Sequence, residues 1–294
     1  MSNPLAVAVV LFVLTISSAI AGANAGAGVN GAACVVGREL LTTLSLRNNP
    51  SHLFSPTATG YITYTGELPT ASSLIATLNH EINTTSTLAY FPLLGIDSPT
   101  GIGCGLHTLH SGVLATPPPL SDPFSYTYAT YIRVEIDPSS GLITRFEAYP
   151  PTHQHPPGYP TPPGLASHVA LARMEAYCQA WNTLNISTIM SFYSPSIIAS
   201  FDDSPLDYAA LKTHISSIIA SWRRDSGTAP FGYQISGNYV VALITDSLYP
   251  VSSGSGDQPV QSEFLTALAF HHFDPATLLI DSLIQYDFSL APSS

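Results

Sequence analysis

The chain has 294 residues, of which 45% are hydrophobic and only 9% charged, and 19 acidic against 8 basic side chains leave a net charge of −11. Soluble domains usually carry roughly a quarter charged residues. Seven arginines and the single lysine, Lys212, form no basic stripe. This excludes a nucleic-acid binder, which must neutralise phosphates, and a polybasic membrane-surface protein; an aromatic content of 10% excludes a disordered chain.

In chain order, Leu5 to Ile16 is a short apolar run, followed by small-x-small sites at Ala19-Ile20-Ala21 and Ala23-Asn24-Ala25. This is the form of a secretory signal peptide, whose apolar stretch of about 7–15 residues falls short of the about 20 that span a membrane. Residues 1–4 contain no Lys or Arg, so an uncleaved anchor is the alternative. Residues 1–25 are expected to be an address, and the mature chain is expected outside the cell, with no membrane contact after cleavage. Secretion makes Asn83-Thr84-Thr85 and Asn185-Ile186-Ser187 acceptors for glycosylation. Of Cys34, Cys104 and Cys178, two can pair in an oxidising compartment, in any of three ways. Their spacing fits no zinc pattern, and neither a metal nor a cofactor is expected.

An internal match runs through the remainder. Residues 53–56 read LFSP and residues 192–195 read FYSP, 139 positions later. Each precedes a strand-like stretch and then a helix-like segment, Ala71 to Ile82 in one case and Tyr208 to Trp222 in the other. Tyr131 to Pro138 corresponds to Leu268 to Pro275 at an offset of 137, and a last strand follows both, Leu142 to Tyr149 and Leu279 to Tyr286. The order reads as a duplication. At the junction, residues 150–164 hold seven prolines in fifteen positions. Proline fixes φ and removes a donor, which makes this a semi-rigid linker without a core. The expected domains are 31–150 and 165–290.

In the second of these, Leu165 to Trp181 is a helix candidate, with Tyr177 and Trp181 one turn apart on one face. Ile186 to Tyr193 is a short second helix ending before Ser194-Pro195. The third helix, Tyr208 to Trp222, aligns Leu211, Ile215, Ile218, Ile219 and Trp222 behind an Asp207 N-cap. Three strand runs follow, Tyr233 to Leu248, Glu263 to Phe273 and Thr277 to Phe288, separated by turn residues. Helices followed by antiparallel strands predict an α+β class with helices on one face of a sheet.

This order, with Phe192-Tyr193-Ser194-Pro195, Asp202-Asp203 and the capped helix, resembles the nuclear-transport-factor-2-like superfamily, and within it the SnoaL-like cyclases and ketosteroid-isomerase-like proteins. The resemblance covers most of 168–288 and is fainter over 36–150. It implies two cone-like domains, in each of which a strongly curved mixed or antiparallel sheet wraps a helix around an apolar pocket. It also implies a proton-transferring aspartate near Asp202, which strand parity sets on the face of Ile198 and Ser200, and a tyrosine on the first helix, here Tyr177, that could stabilise an enolate.

Each candidate has a plainer reading. Asp202-Asp203-Ser204-Pro205 is also an ordinary polar turn into a helix, Tyr177 a buried aromatic, and His214 a core histidine on the third helix. Trp181, Phe201, Trp222 and His271 are expected to line the pocket. Of His271 and His272 only one can point inward, since neighbours on a strand face opposite ways. His107, His110, His153 and His155 read as surface histidines. Repeat one offers Thr63 and Tyr64 where the second half has Asp202, so any catalytic site is expected in the second half. Gly101-Ile102-Gly103-Cys104-Gly105 is too remote from a dinucleotide fingerprint to count. Three functions fit: a secreted two-domain binder of a small apolar molecule without catalysis, a cyclase or isomerase using Asp202 with Tyr177, and an interaction protein with filled cones whose halves form an intramolecular pseudo-dimer.

Overall fold

A computed structural model describes residues 31–114, 125–150, 166–224, 229–250 and 263–290. The apolar leader at 1–25, and the proline tract after Pro150, lie outside the described residues. The first half runs α1 (Ala32–Ser45), a 3-10 turn at Pro50–Leu53, β1 (Phe54–Ile62), β2 (Gly66–Leu68) and α2 (Ala71–Thr84). Four strands follow, β3 (Thr85–Asp97), β4 (Gly103–Leu114), β5 (Ser125–Ile136) and β6 (Ile143–Tyr149). They form one sheet in the order β2-β1-β6-β5-β4-β3, with β1 and β6 parallel and the other neighbours antiparallel.

The second half runs α3 (Ser167–Asn182), α4 (Ile186–Met190), β7 (Tyr193–Phe201), β8 (Ser204–Leu206) and α5 (Tyr208–Ser221). It continues with β9 (Trp222–Arg224), β10 (Ala229–Ser236), β11 (Tyr239–Pro250), β12 (Glu263–Phe273) and β13 (Ile280–Leu290). Its sheet order is β8-β7-β13-β12-β11-β10, with β9 also paired to β11. This is the order of the first sheet, and the class is α+β with two curved, helix-backed sheets. The correspondence extends to the backbone: α2 and α5 begin and end 137 positions apart. Left-handed residues recur at the same spacing, Arg47 (φ 59°) with Leu184 (φ 52°) and Gly141 (φ 71°) with Leu278 (φ 57°). Leucine accepts positive φ only where the surrounding fold imposes it.

Local chemistry explains the elements. The Thr70 hydroxyl accepts from Ser73 N and the Ser73 hydroxyl from Thr70 N, a capping box that starts α2. Asp207 Oδ1 accepts from Ala210 N at 2.8 Å to start α5. The Cys34–Cys104 disulfide ties α1 to β4 across 70 residues; the third thiol, Cys178, is buried in the second core.

Three expectations are corrected. The run Tyr233 to Leu248 is two strands, because Gly237 (φ 61°) and Asn238 make a two-residue turn between paired Ser236 and Tyr239; a Gly-Asn pair is hairpin chemistry. The second short helix stops at Met190, and Ser194-Pro195 already lies in β7. Proline is tolerated there because the β7–β13 register shifts between Tyr193 and Ile198. The third helix ends at Ser221, and the Trp222 side chain lies outside what is described.

Two cores lie between the helices and their sheets: Leu40, Leu44, Leu74, Leu78 and Phe146 in the first, and Met174, Tyr177, Trp181, Ile215 and Phe273 in the second. A third cluster joins the outer faces of the two sheets, setting Tyr61, Ile96, Tyr131 and Tyr149 against Val241, Leu268, Phe270 and Tyr286. Around it, Arg133 Nε donates to the Tyr286 hydroxyl at 3.1 Å. The Asp203 carboxylate accepts from the hydroxyls of Ser98 and Thr100 and from Gly103 N. The glycines at 103 and 105 belong to this contact. A Cβ on Gly103 would stand 2.5 Å from the Tyr286 hydroxyl oxygen, and one on Gly105 would stand 2.5 Å from Leu268 Cδ2.

Candidate functional site

In the second half the structure divides the sequence candidates between two neighbourhoods. Tyr177 on α3 packs edge-on against Trp181, Phe192, Tyr193 and His271. Its hydroxyl meets that of Tyr193 at 2.5 Å. His271 is fully buried, with Nδ1 3.3 Å from the Val240 carbonyl. Burial drives its pKa down to about 4, so the ring is neutral around pH 7. Trp181 and Phe201 are buried in the same core. These side chains fill an aromatic interior.

Asp202 lies elsewhere. It follows the end of β7, and Asp202 and Asp203 both have positive φ, 48° and 66°, so the carboxylate sits on a hairpin turn. The parity argument that placed it with Ile198 is corrected by this turn, and Ile198 itself is 75% exposed. Asp202 Oδ1 accepts from Asp287 N at 2.9 Å. Burial raises its pKa to about 6; the Asp287 and Asp203 carboxylates push the same way, against the Asp287 N–H and His214. His214 on α5 lies 4.7 Å, centroid to centroid, from the Phe201 ring, and burial lowers its pKa. Tyr177 is in the aromatic interior and Asp202 is on the turn.

The first half carries a constellation that the sequence reading passed over. Along α2 the buried positions are Ala71, Leu74, Leu78, Glu81 and Ile82, so Glu81 occupies the core-facing stripe. On β4 the even-numbered residues from Leu106 to Gly112 are buried, which turns His110 inward. The two meet: His110 Nε2 lies 3.0 Å from Glu81 Oε1, at 4% and 8% side-chain exposure. The Tyr90 hydroxyl donates to Glu81 Oε2 at 3.0 Å. Tyr90 also stacks on the His110 ring at 4.2 Å, and Tyr128 meets that ring edge-on at 5.0 Å. His110 is therefore a core residue, which corrects its reading as a surface histidine. His107 faces the other way, stacked 4.7 Å from Tyr131, and burial lowers its pKa. Nothing in local sequence pairs residues 81 and 110; the signals were the Leu74-Leu78-Glu81 spacing and the parity with Leu106.

These groups border a cavity of about 20 Å³ lined also by Thr130, Ile132, Phe146 and Pro150, or about 310 Å³ when the space open to solvent is counted. The closed part holds roughly one water. Isolating a carboxylate from water is costly unless it is hydrogen-bonded; here the Tyr90 hydroxyl bonds Oε2, while Oε1 has His110 Nε2 3.0 Å away without a hydrogen bond between them. The arrangement can dock one polar atom of a ligand and can carry a proton between carboxylate and imidazole. Cys34, Asp97 and Cys104 lie within 4.8 Å of one another, but both sulfurs are spent in the disulfide. The Asp97 carboxylate accepts from Gly31 N and Cys34 N at the start of α1.

Fold and site together define a two-cone α+β protein with a mostly apolar pocket in one cone that ends on buried polar side chains. No family model matches the chain, and no curated protein matches it. Among solved structures it is similar to AclR, a putative hydroxylase from Streptomyces galilaeus, at 16% identity and a TM-score of 0.37, covering 42% of this chain and 80% of that one. It is similar to an NTF2-like protein of unknown function from Exiguobacterium sp. 255-15, at 13% identity and a TM-score of 0.34, over 39% of this chain and 97% of that one. A putative SnoaL-like polyketide cyclase from Shewanella denitrificans OS-217 is similar at 9% identity and a TM-score of 0.35, over 40% and 90%.

Proposed function

We propose that the protein is a secreted two-domain binder of a small apolar molecule, and that the binding site is the first cone. The observation that carries this reading is the buried Glu81–His110–Tyr90 group at the end of an otherwise apolar pocket. Few convergent polar groups in an apolar concavity is the usual make-up of a small-molecule site. The ligand's one polar atom docks on Glu81 and His110, while its apolar body lies in the solvent-open part of the pocket, about 310 Å³ in all. The aromatic second half serves as a folded partner that covers the outer face of the first sheet, an intramolecular pseudo-dimer derived from a duplication. The apolar leader and the disulfide support export. Among the described residues no helix is long and apolar enough to cross a membrane. Asn83 and Asn185 are both exposed and are proposed to carry glycans.

A second reading is favoured by the same pair. A carboxylate held against an imidazole next to a water-sized space is general acid–base equipment, so a proton-transfer enzyme would act here rather than at Asp202. Thermal-shift screening of apolar ketones and phenols against wild type, Glu81→Gln and His110→Gln tests both. Stabilisation by a ligand that both substitutions abolish, without turnover, supports the binder. Ligand consumption that stops in both variants supports the enzyme. Stabilisation equal in all three proteins overturns the first-cone site.

A further inference from the structure

Between the two sheets lies a cleft of about 290 Å³ that the first cone does not use. Its walls come from positions 137 apart: Arg133 corresponds to Phe270, Arg145 to Ser282 and Glu147 to Ile284. The places are equivalent and the chemistry is not. The first sheet supplies a charged wall, and the second an apolar and hydroxyl-bearing one. Two of the chain's eight basic side chains gather here, in a protein that is 9% charged. A seam serving adhesion alone would close such a gap, since interiors pack to crystal density and buried ion pairs rarely outdo apolar packing.

Both guanidiniums are already paired, two cations among three carboxylates. Arg133 contacts the Glu135 carboxylate, and its Nη1 lies 3.0 Å from Glu147 Oε2. Arg145 Nε donates to Glu147 Oε1 at 2.8 Å, and its Nη2 lies 3.3 Å from Glu67 Oε1. A charged ligand would have to break one of these pairs. What remains is the unused hydrogen-bonding capacity of these paired groups, the second N–H of each Nη and the remaining lone pairs of Glu135, which a hydroxyl can meet as donor or acceptor. The hydroxyls of Tyr239 and Ser282 also make no hydrogen bond among the described residues. Opposite them the half-buried Tyr239 ring offers an aromatic surface, backed by Tyr149 at 5.1 Å and, behind it, Phe270 at 5.3 Å from Tyr149, both buried in the seam.

We propose that this cleft binds a neutral saccharide of hexose size. A sugar ring presents hydroxyl edges, which donate and accept at once, and a C–H face that packs on aromatic rings. It thereby complements both walls without displacing an ion pair. The cleft volume is close to the lower end of small-ligand pockets, about 300 Å³.

The test is saturation-transfer NMR and titration calorimetry on the whole chain, with D-glucose, D-galactose, D-mannose and D-xylose as probes. D-glucuronate and D-glucosamine serve as charged counterparts. Transfer to ring C–H protons of at least one neutral sugar is expected, with a Kd of about 1 mM or below. Ser282→Trp, which fills the cleft, should weaken that sugar by about tenfold or more, and Glu135→Gln should weaken it less. No transfer from any neutral probe, tighter binding of the charged counterparts, or unchanged affinity in Ser282→Trp overturns the proposal. Should Ser282→Trp fail to fold, unchanged affinity in Glu135→Gln overturns it instead.

Discussion

At places 137 positions apart, the first half has Leu40, Glu81 and Val134 where the second has Tyr177, Ile218 and His271. The first interior is mostly aliphatic and its pocket ends on Glu81, His110 and Tyr90, whereas the second is aromatic and includes the Tyr177–Tyr193 contact. Strand order, capped helix and left-handed positions are held in common. A cone's emptiness is thus decided by a few side chains. Glu81, which lines the pocket, stands where the second half has Ile218, and Leu40 stands where it has the Tyr177 ring, about 150–250 Å² of buried surface. The pocket and the filled interior are two uses of one backbone.

The disulfide offers the largest effect with which to break the comparison, because it exists only in the first half. Closing a loop of 70 residues removes unfolded-state entropy worth about 4 kcal/mol in the chain-entropy account. Cys34→Ser with Cys104→Ser should therefore destabilise the first cone by about that amount. Both tryptophans, Trp181 and Trp222, lie in the second half, so their fluorescence reports on it alone. Urea unfolding should split, with far-UV dichroism lost early and tryptophan fluorescence later. Coincident transitions would mean that the third cluster welds the halves into one cooperative unit.

Acid comes next, and its effect belongs to the second half. His271 has a folded pKa near 4 against about 6.5 unfolded, so between these values the unfolded state holds more protons. The stability gained from keeping His271 neutral is complete above about pH 6.5 and is lost as pH falls toward 4, by about 3 kcal/mol in all. Asp202 works in the opposite sense. Its folded pKa of about 6 lies above its unfolded value, so its protonation favours the fold as pH falls. Asp202→Asn should steepen the acid loss read by tryptophan fluorescence, and His271→Phe should flatten it.

How much of this was legible in the sequence differs between the halves for physical reasons. The second half announced itself because its signals are local: Asp207 before an amphipathic stripe of Leu211 and Ile215, and Asp274-Pro275 between strands. The first-half pocket depends on a contact between α2 and β4. Glu81 and His110 each look ordinary alone, a helix carboxylate and one of ten histidines. Only sheet parity and the helix stripe, taken together, turn both inward. The disulfide partner of Cys34 was likewise unreadable, since it is fixed by where α1 crosses the sheet. The glycines at 103 and 105 are too remote from a nucleotide fingerprint for the sequence to assign them a role. Their reason lies in the second half, in Tyr286 and Leu268.

Those glycines give the third test, directed at the seam. A side chain at position 105 would enter space held by Leu268. Gly105→Val should cost about 1–3 kcal/mol through overpacking. The loss should come from the seam rather than from either core, so hydrogen exchange should rise at Leu268 and Tyr286 while Leu74 and Met174 stay protected. Exchange raised evenly across both cores would show that the seam has no separate existence.

The smallest effect sharpens the likeness. The inner helix of each cone begins at an equivalent place but with a different device, the Thr70–Ser73 capping box on α2 and the Asp207 carboxylate on α5. Each satisfies a backbone N–H that a helix start otherwise leaves without a partner. Thr70→Ala and Asp207→Ala should each cost about 1 kcal/mol. Only the aspartate bears a charge that also meets the helix dipole. Raising the salt concentration should therefore shrink the Asp207→Ala penalty and leave that of Thr70→Ala unchanged. Equal salt dependence in the two would mean that the carboxylate acts through its hydrogen bond alone, and that the two caps are interchangeable as well as equivalent.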